Sequence, residues 1–595
     1  MIRILKIIFA IFGGLLLVFA SLQALSGDIL MRRQAQPVAT QIPPSPTPMA
    51  IENLPSIDDL PLKDNPNIYK YDDPGSVVTM YVTVRKGNIS DNSAYTWKEV
   101  NAFTKVSDNG ISPIVGKDDA ILQVGDENGP LLGELGYGVT VPNATIQIRG
   151  FTTSLAPQKG FKIELLSGTG MWRGQATINL NKHPYDDTRV KNKLNFDLLK
   201  QIPNITSLRT QFVHLYVKDE TIEPWDKNFV DYGLFTQVEQ PNGRFLKNHL
   251  LDPDGQLYKA TFFEFLKYPD IIRMADDPLY NPVAFSTILE IKGNNDHSKI
   301  IKMLDDLNNY SIPIEQTFPK YFDADNYFTW LAYNILVLNN DTQSQNFYLY
   351  SPHNGNKWYF LPWDYDGTFL LSDHPDLGQF TYAPWTKGIS NYWGSVLSNR
   401  LLRLPQYRQT LNDKINELRE FLTPERIKSM LDVYKKAVDP YVTRMPDLKY
   451  LEKPLKDRDL EFELTPDDIQ TNYNNYLESL KKPMPFFLGT PKVDNNQLFF
   501  HWDEAYDIGG EDITYDFMIS TDLDFKKIVA ESKLTNGNNF QMQMLKPGSY
   551  FWRVTAENIS GMTQTPFDFY VDANSVNHYG VKYFSITSDG QVLEK

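Results

Sequence analysis

Among 595 residues there is no cysteine, and histidine occurs only 8 times. That absence removes disulfides, thiolate zinc sites, iron–sulfur clusters and cysteine nucleophiles together, so packing and hydrogen bonds alone must hold the fold. Any metal has to be held by oxygen or imidazole. The histidines, His183, His214 and His353 among them, are scattered singly with no pair at helical ligand spacing, which makes a hard, oxygen-bound cation such as Mg²⁺ the default. Each lone histidine reads as an ordinary surface or core residue. At about 100–200 residues per domain the chain divides into roughly three to five units. Its 42% hydrophobic and 22% charged residues suit globular cores. With 58 basic against 73 acidic residues the net charge is −15, which argues against nucleic acid as a partner, because backbone binding needs clustered positive charge.

The N-terminus carries Arg3 and Lys6 and then an almost uncharged apolar run over residues 7–25, long enough to cross a bilayer as one helix. Residues 1–26 therefore read as a signal anchor by their length. Ala20 and Ala24 keep a cleaved signal open as the alternative, and Arg32 and Arg33 blunt the positive-inside bias. The expectation is a single-pass cell-membrane protein with its bulk outside the cytoplasm, or a secreted one if the segment is cut. Residues 27–68 are a proline-rich stalk. Residues 69–450 mix strands, such as the alternating 77–84, with long helical patterns over 399–422 and 423–438, the latter opened by Thr423 and Pro424. A linker or helical connection (451–484) leads to an all-β sandwich (485–573) and a tail (574–595). Within the sandwich, residues 545–554 resemble the penultimate-strand signature of fibronectin type III domains, with Trp502 as core tryptophan and Tyr550 as corner tyrosine.

Chemistry concentrates in residues 339–367. A polar loop, a strand, a tight turn at 353–356 and a second strand lead to the acidic pair Asp364 and Asp366. Strands joined by a short turn bring their outer ends together, so Asp341, Asn346 and Asp364 meet. Phosphoryl transfer needs one carboxylate for the attacking hydroxyl, an Asn a few residues on for metal, and an Asp from the next hairpin for metal between phosphates. The same residues also serve two ordinary Asx-rich turns, and spacing alone leaves both readings open.

Further blocks occur in order: Gln147-Ile148-Arg149-Gly150 with Lys159-Gly160-Phe161-Lys162-Ile163, then Lys191-Asn192-Lys193-Leu194, Tyr232-Gly233-Leu234-Phe235 through Val238-Glu239-Gln240 to Phe245-Leu246, Leu257-Tyr258-Lys259, and Trp363-Asp364-Tyr365-Asp366. Together they resemble the CotH kinase family, the spore coat protein H type of atypical kinase-like protein, over residues 77–444. The resemblance implies an α+β, two-lobed protein-kinase-like domain that binds ATP with Mg²⁺ or Mn²⁺ and phosphorylates protein hydroxyls. It places Asp341 at the catalytic position and Asn346 and Asp364 at the metal positions, with Asp366 as an added contact. Strand alternation puts Lys162 opposite Phe161 and Ile163, facing a cleft, as the phosphate-binding lysine. Lys159 is its rival, Arg149 a phosphate fork or a packing ion pair, and Glu239 an inter-lobe ATP contact.

Departures from kinase patterns are equally plain. No Gly-x-Gly-x-x-Gly loop precedes Lys162, no His-Arg precedes Asp341, and the candidate helix 188–201 offers only Asp197 to pair with a lysine. A non-catalytic adhesion or scaffold protein on the same fold is the alternative reading, and an ATP site transferring a nucleotidyl or amino-acid unit a third.

Overall fold

Inward apolar and outward polar side chains alternate along three consecutive strands, β4 (Ala144–Arg149), β5 (Gly160–Leu165) and β6 (Thr177–Asn181). They belong to an eight-stranded sheet with β1 (Val77–Arg85), β2 (Asp118–Asp126), β3 (Gly129–Pro130), β7 (Thr210–Asp219) and β8 (Val230–Val238), in the order β1-β7-β8-β6-β5-β4-β2-β3. The sheet closes on itself, because β1 pairs antiparallel with β2 on one side and parallel with β7 on the other. Closure removes the free edges. It also buries six consecutive residues of β1 on both faces, where alternation had been expected. The enclosed core includes Met80, Val82, Leu122, Ile146, Ile163, Leu180 and Leu215.

The computed structural model describes residues 61–106, 115–369, 382–535 and 537–594. The apolar run at 7–25 and the expected stalk up to residue 60 lie outside them, and no helix among the described residues is long and apolar enough to cross a membrane. The content is mixed helix and sheet, α+β as expected. Two compact units divide it, one built from Leu62–Tyr382 with Ser395–Tyr476, the other including Ala383–Gly394 and Leu477–Lys595.

In the larger unit a second sheet, in the order β10-β9-β11-β12, contains β9 (Gln256–Ala260), β10 (Leu289–Ile291), β11 (Phe347–Ser351) and β12 (Tyr359–Pro362). The Ala324–Leu336 helix packs on it, with Trp330 4.5 Å from Phe360 and 5.3 Å from Phe347 between ring centroids. Burying each such ring contributes roughly 1.5–3 kcal/mol, which anchors the hairpin carrying the acidic residues. The helical stretch expected over 399–422 breaks at Pro405 into Val396–Leu402 and Pro405–Phe421. Thr423 caps the next helix, Pro424–Val442, by accepting from the Arg426 N–H, with proline at its first turn. Residues expected as a linker form the Leu455–Leu464 and Asp468–Ser479 helices.

The smaller unit is all-β apart from short segments, with a three-stranded and a six-stranded sheet sharing one core around Trp502, Trp552 and Phe517. The Tyr550 hydroxyl donates to the Lys546 carbonyl at 2.8 Å. Residues expected as a tail instead complete the larger sheet: Val581–Ile586 pairs with Gly548–Asn558, because its Val581, Phe584 and Ile586 supply apolar side chains to the core. Ala383–Gly394, expected within the kinase-like region, joins this unit through Trp385, whose ring lies 5.6 Å from Phe567 and 5.4 Å from Tyr579.

Candidate active site

The hairpin delivers its ends as its sequence predicts. Phe347 lies opposite Pro362 in register, so Asn346, just before β11, and Asp364, just after β12, leave the same end of the sheet. Both hold left-handed backbone, with φ of 58° and 60°. Asn and Asp tolerate that region better than most residues, and its use at two neighbouring functional candidates is the kind of strain that sites retain. The Asn339 side-chain amide reaches the Asp364 carbonyl at 3.5 Å, tying the Asp341 loop to the acidic turn.

The carboxylates here are in conflict. Loss of hydration, then the charge of Asp366, push the Asp364 carboxyl up to about 7 against the pull of Lys259 and Arg149. Asp341 is accessible to water yet ringed by protein, and desolvation with the charge of Asp366 pushes it up to about 6. Burial opposes ionisation of Asp366 as well, but hydrogen bonds, that from His183 first and others from Asp364 and the backbone, together outweigh it and hold that carboxyl below its ordinary range.

Cations gather opposite. On the outer face of the closed sheet Gln147, Lys162 and Asn179 stand side by side in register, with Arg149 two residues beyond Gln147. Lys162 faces away from Phe161 and Ile163, as alternation predicts, and pairs with Glu164 at 2.9 Å. The Arg149 guanidinium and the Lys259 ammonium each lie 5.9 Å from the Trp363 ring centroid, beside Asp364. Lys259 also pairs with Glu290 at 3.8 Å. Burial, then the charges of Arg149 and Lys162, lower the Lys105 ammonium to about 8. Conversely, burial opposes ionisation of Glu290, but Lys259, Lys292 and Lys105 hold it down to about 2.

Three expected residues stand apart. Lys159 donates to the carbonyl of Ser154 within its own loop. That loop contains a single 3-10 turn, Thr152–Leu155, in place of a glycine-rich phosphate cradle. Gly150 enters it at φ +86°, where a Cβ would lie 1.9 Å from Thr153 Oγ1. Glu239 is buried between Arg209 and His249, committed to an internal ion network. Asp197, on the Lys191–Leu199 helix, pairs with Lys193 of that helix and with Lys200 just past its end, each at 3.1 Å, and accepts from Tyr434 at 2.6 Å, so it serves neither Lys162 nor Lys159.

Other residues were missed by sequence reasoning. His183, taken as an ordinary residue, hydrogen-bonds Asp366 at 2.9 Å. Asn192 accepts from the Tyr365 N–H at 3.1 Å, and Asn195 donates to Thr368 Oγ1 at 2.8 Å. The Lys191–Leu199 helix thus grips the acidic turn. Asp186 caps that helix by accepting from the Lys191 N–H at 3.0 Å. Lys191-Asn192 already stood among the ordered blocks, which was the one available signal for Asn192. Lys259 stood in another, whereas Lys105 and His183 gave none.

A divalent cation suits this donor set. Two carboxylates and an amide oxygen leave room for water and phosphate oxygens in the shell, and a cation between Asp364 and Asp366 would relieve the repulsion that raises Asp364. Among the described residues no three His, Asp or Glu side chains could hold an ion unaided.

An acidic turn at the end of a hairpin, with Arg149 and Lys259 beside it, defines a class of protein with a polar, charge-dense site. The family model described as CotH kinase protein matches residues 146–483, more than half of the chain, and the chain belongs to the CotH family. It is similar to the inner spore coat protein H of Bacillus subtilis, at 24% identity over 318 residues, covering 52% of this chain and 79% of that protein. It is also similar to invasin CotH3 of Rhizopus delemar, at 24% identity over 266 residues, covering 42% of each chain.

Proposed function

We propose that the chain is an atypical protein kinase of the CotH type, with a two-lobed kinase-like domain that transfers the γ-phosphoryl group of ATP to a protein hydroxyl in the presence of Mg²⁺ or Mn²⁺. The observation that carries this reading is the meeting of Asp341, Asp364 and Asp366 with Arg149 and Lys259, which Lys105 and Lys162 in turn adjoin. Arg149 and the lysines attract the triphosphate and neutralise charge on its oxygens. Asp364, Asn346 and Asp366 would hold the cation, whose part when bound is to neutralise charge between the phosphates. Asp341 accepts the proton of the acceptor hydroxyl as that oxygen attacks the γ-phosphorus. The bond from that phosphorus to the β–γ bridging oxygen breaks, and ADP leaves. A carboxyl raised to about 6 is still ionised at neutral pH and is a better base than an ordinary aspartate.

In this reading the apolar run at residues 7–25 holds the chain at the cell surface, or directs its secretion if cut. The smaller unit, with its buried Trp502 and the Tyr550 bond, is a fibronectin type III-like spacer. A second reading, a non-catalytic surface-binding protein, draws on the exposed Leu131, Leu132, Tyr137 and Val141 beside β3, and on the name invasin borne by one relative. Label transfer from γ-labelled ATP separates the two. The first reading expects metal-dependent transfer that Asp341→Asn abolishes, and no nucleotide binding with either Mg²⁺ or Mn²⁺ would favour the second.

A further inference from the structure

We propose that His183 is a positioning residue of this site, held by Asn192 as the neutral imidazole with its proton on Nδ1, and that it sets the direction in which Asp366 presents its carboxylate. The inference rests on the reading of Asp364 and Asp366 given above.

The tautomer follows from the hydrogen bonds. Asn192 Oδ1 accepts from the Tyr365 backbone N–H at 3.1 Å. Only a carbonyl oxygen can take that bond, so the orientation of the Asn192 amide is fixed and its Nδ2 faces His183 Nε2, at 3.2 Å. An amide N–H donates, so Nε2 must carry the lone pair and Nδ1 the hydrogen. The Nδ1–H then donates to Asp366 Oδ2 at 2.9 Å. Because Tyr365 and Asp366 are consecutive, these bonds close a ring: one residue pair holds the N–H of one turn residue and the carboxylate of the next.

Little else competes for these groups. His183 is 3% and Asn192 1% exposed, so water has almost no access to either side chain. The His183 backbone is pinned too. It sits at φ +48°, and the buried Arg189 guanidinium donates to its carbonyl. The preceding Lys182 is locked to Asp447 at 2.6 Å. A rigid imidazole with a single donor aimed at Asp366 Oδ2 fixes the direction in which that carboxylate points. Such outer partners of a ligand carboxylate change metal affinity or activity by about 10–100-fold when removed.

Two substitutions fit the left-handed backbone at this position and separate donor from bulk. His183→Asn retains an N–H donor near the Nδ1 position, whereas His183→Gly retains neither donor nor ring. In the full chain, metal-dependent turnover of ATP by His183→Asn is expected within about fivefold of wild type. In His183→Gly, kcat is expected to fall about 10–100-fold, with the KM for ATP little changed. Equal activity of His183→Gly and wild type, or equal collapse of both variants, overturns the proposal. Long-range ¹⁵N spectra of the wild-type histidine rings, with His183 assigned by its loss in His183→Asn, test the geometry without any activity. A hydrogen on Nδ1 alone is expected, and a hydrogen on Nε2 overturns the proposal. If wild type turns over no ATP with either metal, the kinase reading fails, and the ring spectra alone then decide whether His183 is held as described.

Discussion

Two charge clusters in the larger unit, one buried and one half-buried, obey opposite rules. In the first, Glu239 sits between Arg209 and His249, and His249 donates in turn to Asp64 at 2.6 Å, which accepts from Tyr69 at 2.6 Å. Burial opposes the charge of Glu239, but His249 and Arg209 overcome it and hold the carboxyl down to about 2. In the second, Asp364 and Asp366 share a turn, and Asp364 is pushed up to about 7. Each carboxylate of the first cluster has its counter-charge inside the protein. The second cluster is left short of one, with cations near but not paired to Asp364. A network satisfied from within stabilises a fold, while one in conflict awaits a charge from outside.

Substitutions sharpen this contrast, and the largest effect is expected for Asp341→Asn. It should cut label transfer by about 10²–10⁴-fold, as loss of a general base does, and leave the melting temperature near that of wild type. Glu239→Gln should do the reverse. By leaving the buried Arg209 without its counter-charge it should cost about 3–5 kcal/mol in denaturant unfolding. The pH dependence carries the same signature. Glu239 is depressed, so its stabilisation is present above its unfolded pKa near 4.5 and is lost as pH falls toward 2. His249 is raised, so its contribution is present below about 6.5 and is lost as pH climbs through the raised value. Asp364 has the opposite sign from Glu239. Its raised carboxyl makes the metal-free protein less stable as pH rises from about 4 through 7, and Asp364→Asn should flatten that slope. The smallest effect separates the two rival lysines. Lys162→Met should weaken ATP binding by about tenfold, and Lys159→Met by less than about twofold, because Lys159 is spent on its own loop.

Local patterns carried much of this architecture in the sequence. The turn at 353–356, its flanking strands and the outward direction of Lys162 follow from alternation and turn chemistry, which act over a few residues. The Thr423 cap and the all-β character of the C-terminal unit are local too. What escaped depends on partners far along the chain. His183 meets Asp366 only because the closed sheet and the Lys191–Leu199 helix bring them together, and nothing in the flanks of His183 marks it. That helix is buried on every side, so no amphipathic stripe announces which of its residues face the acidic turn. Glu239 read as an inter-lobe ATP contact because its partners, Arg209 and His249, lie 30 and 10 residues away. The strand Val581–Ile586 follows the last obvious sandwich segment, and only its pairing with Gly548–Asn558 makes it part of the sheet.

The central claim is that the acidic turn is built for a cation and a nucleotide. Thermal unfolding of wild type and Asp364→Asn at pH 8, alone and with ATP plus Mg²⁺ or Mn²⁺, tests it most directly. The metal–nucleotide pair should raise the melting temperature of wild type, by an amount that grows with its concentration. Asp364→Asn should melt higher than wild type when both are free of metal, yet gain nothing from the pair. A wild type indifferent to both metal–nucleotide pairs, or an Asp364→Asn variant stabilised by them as strongly as wild type, would contradict the account.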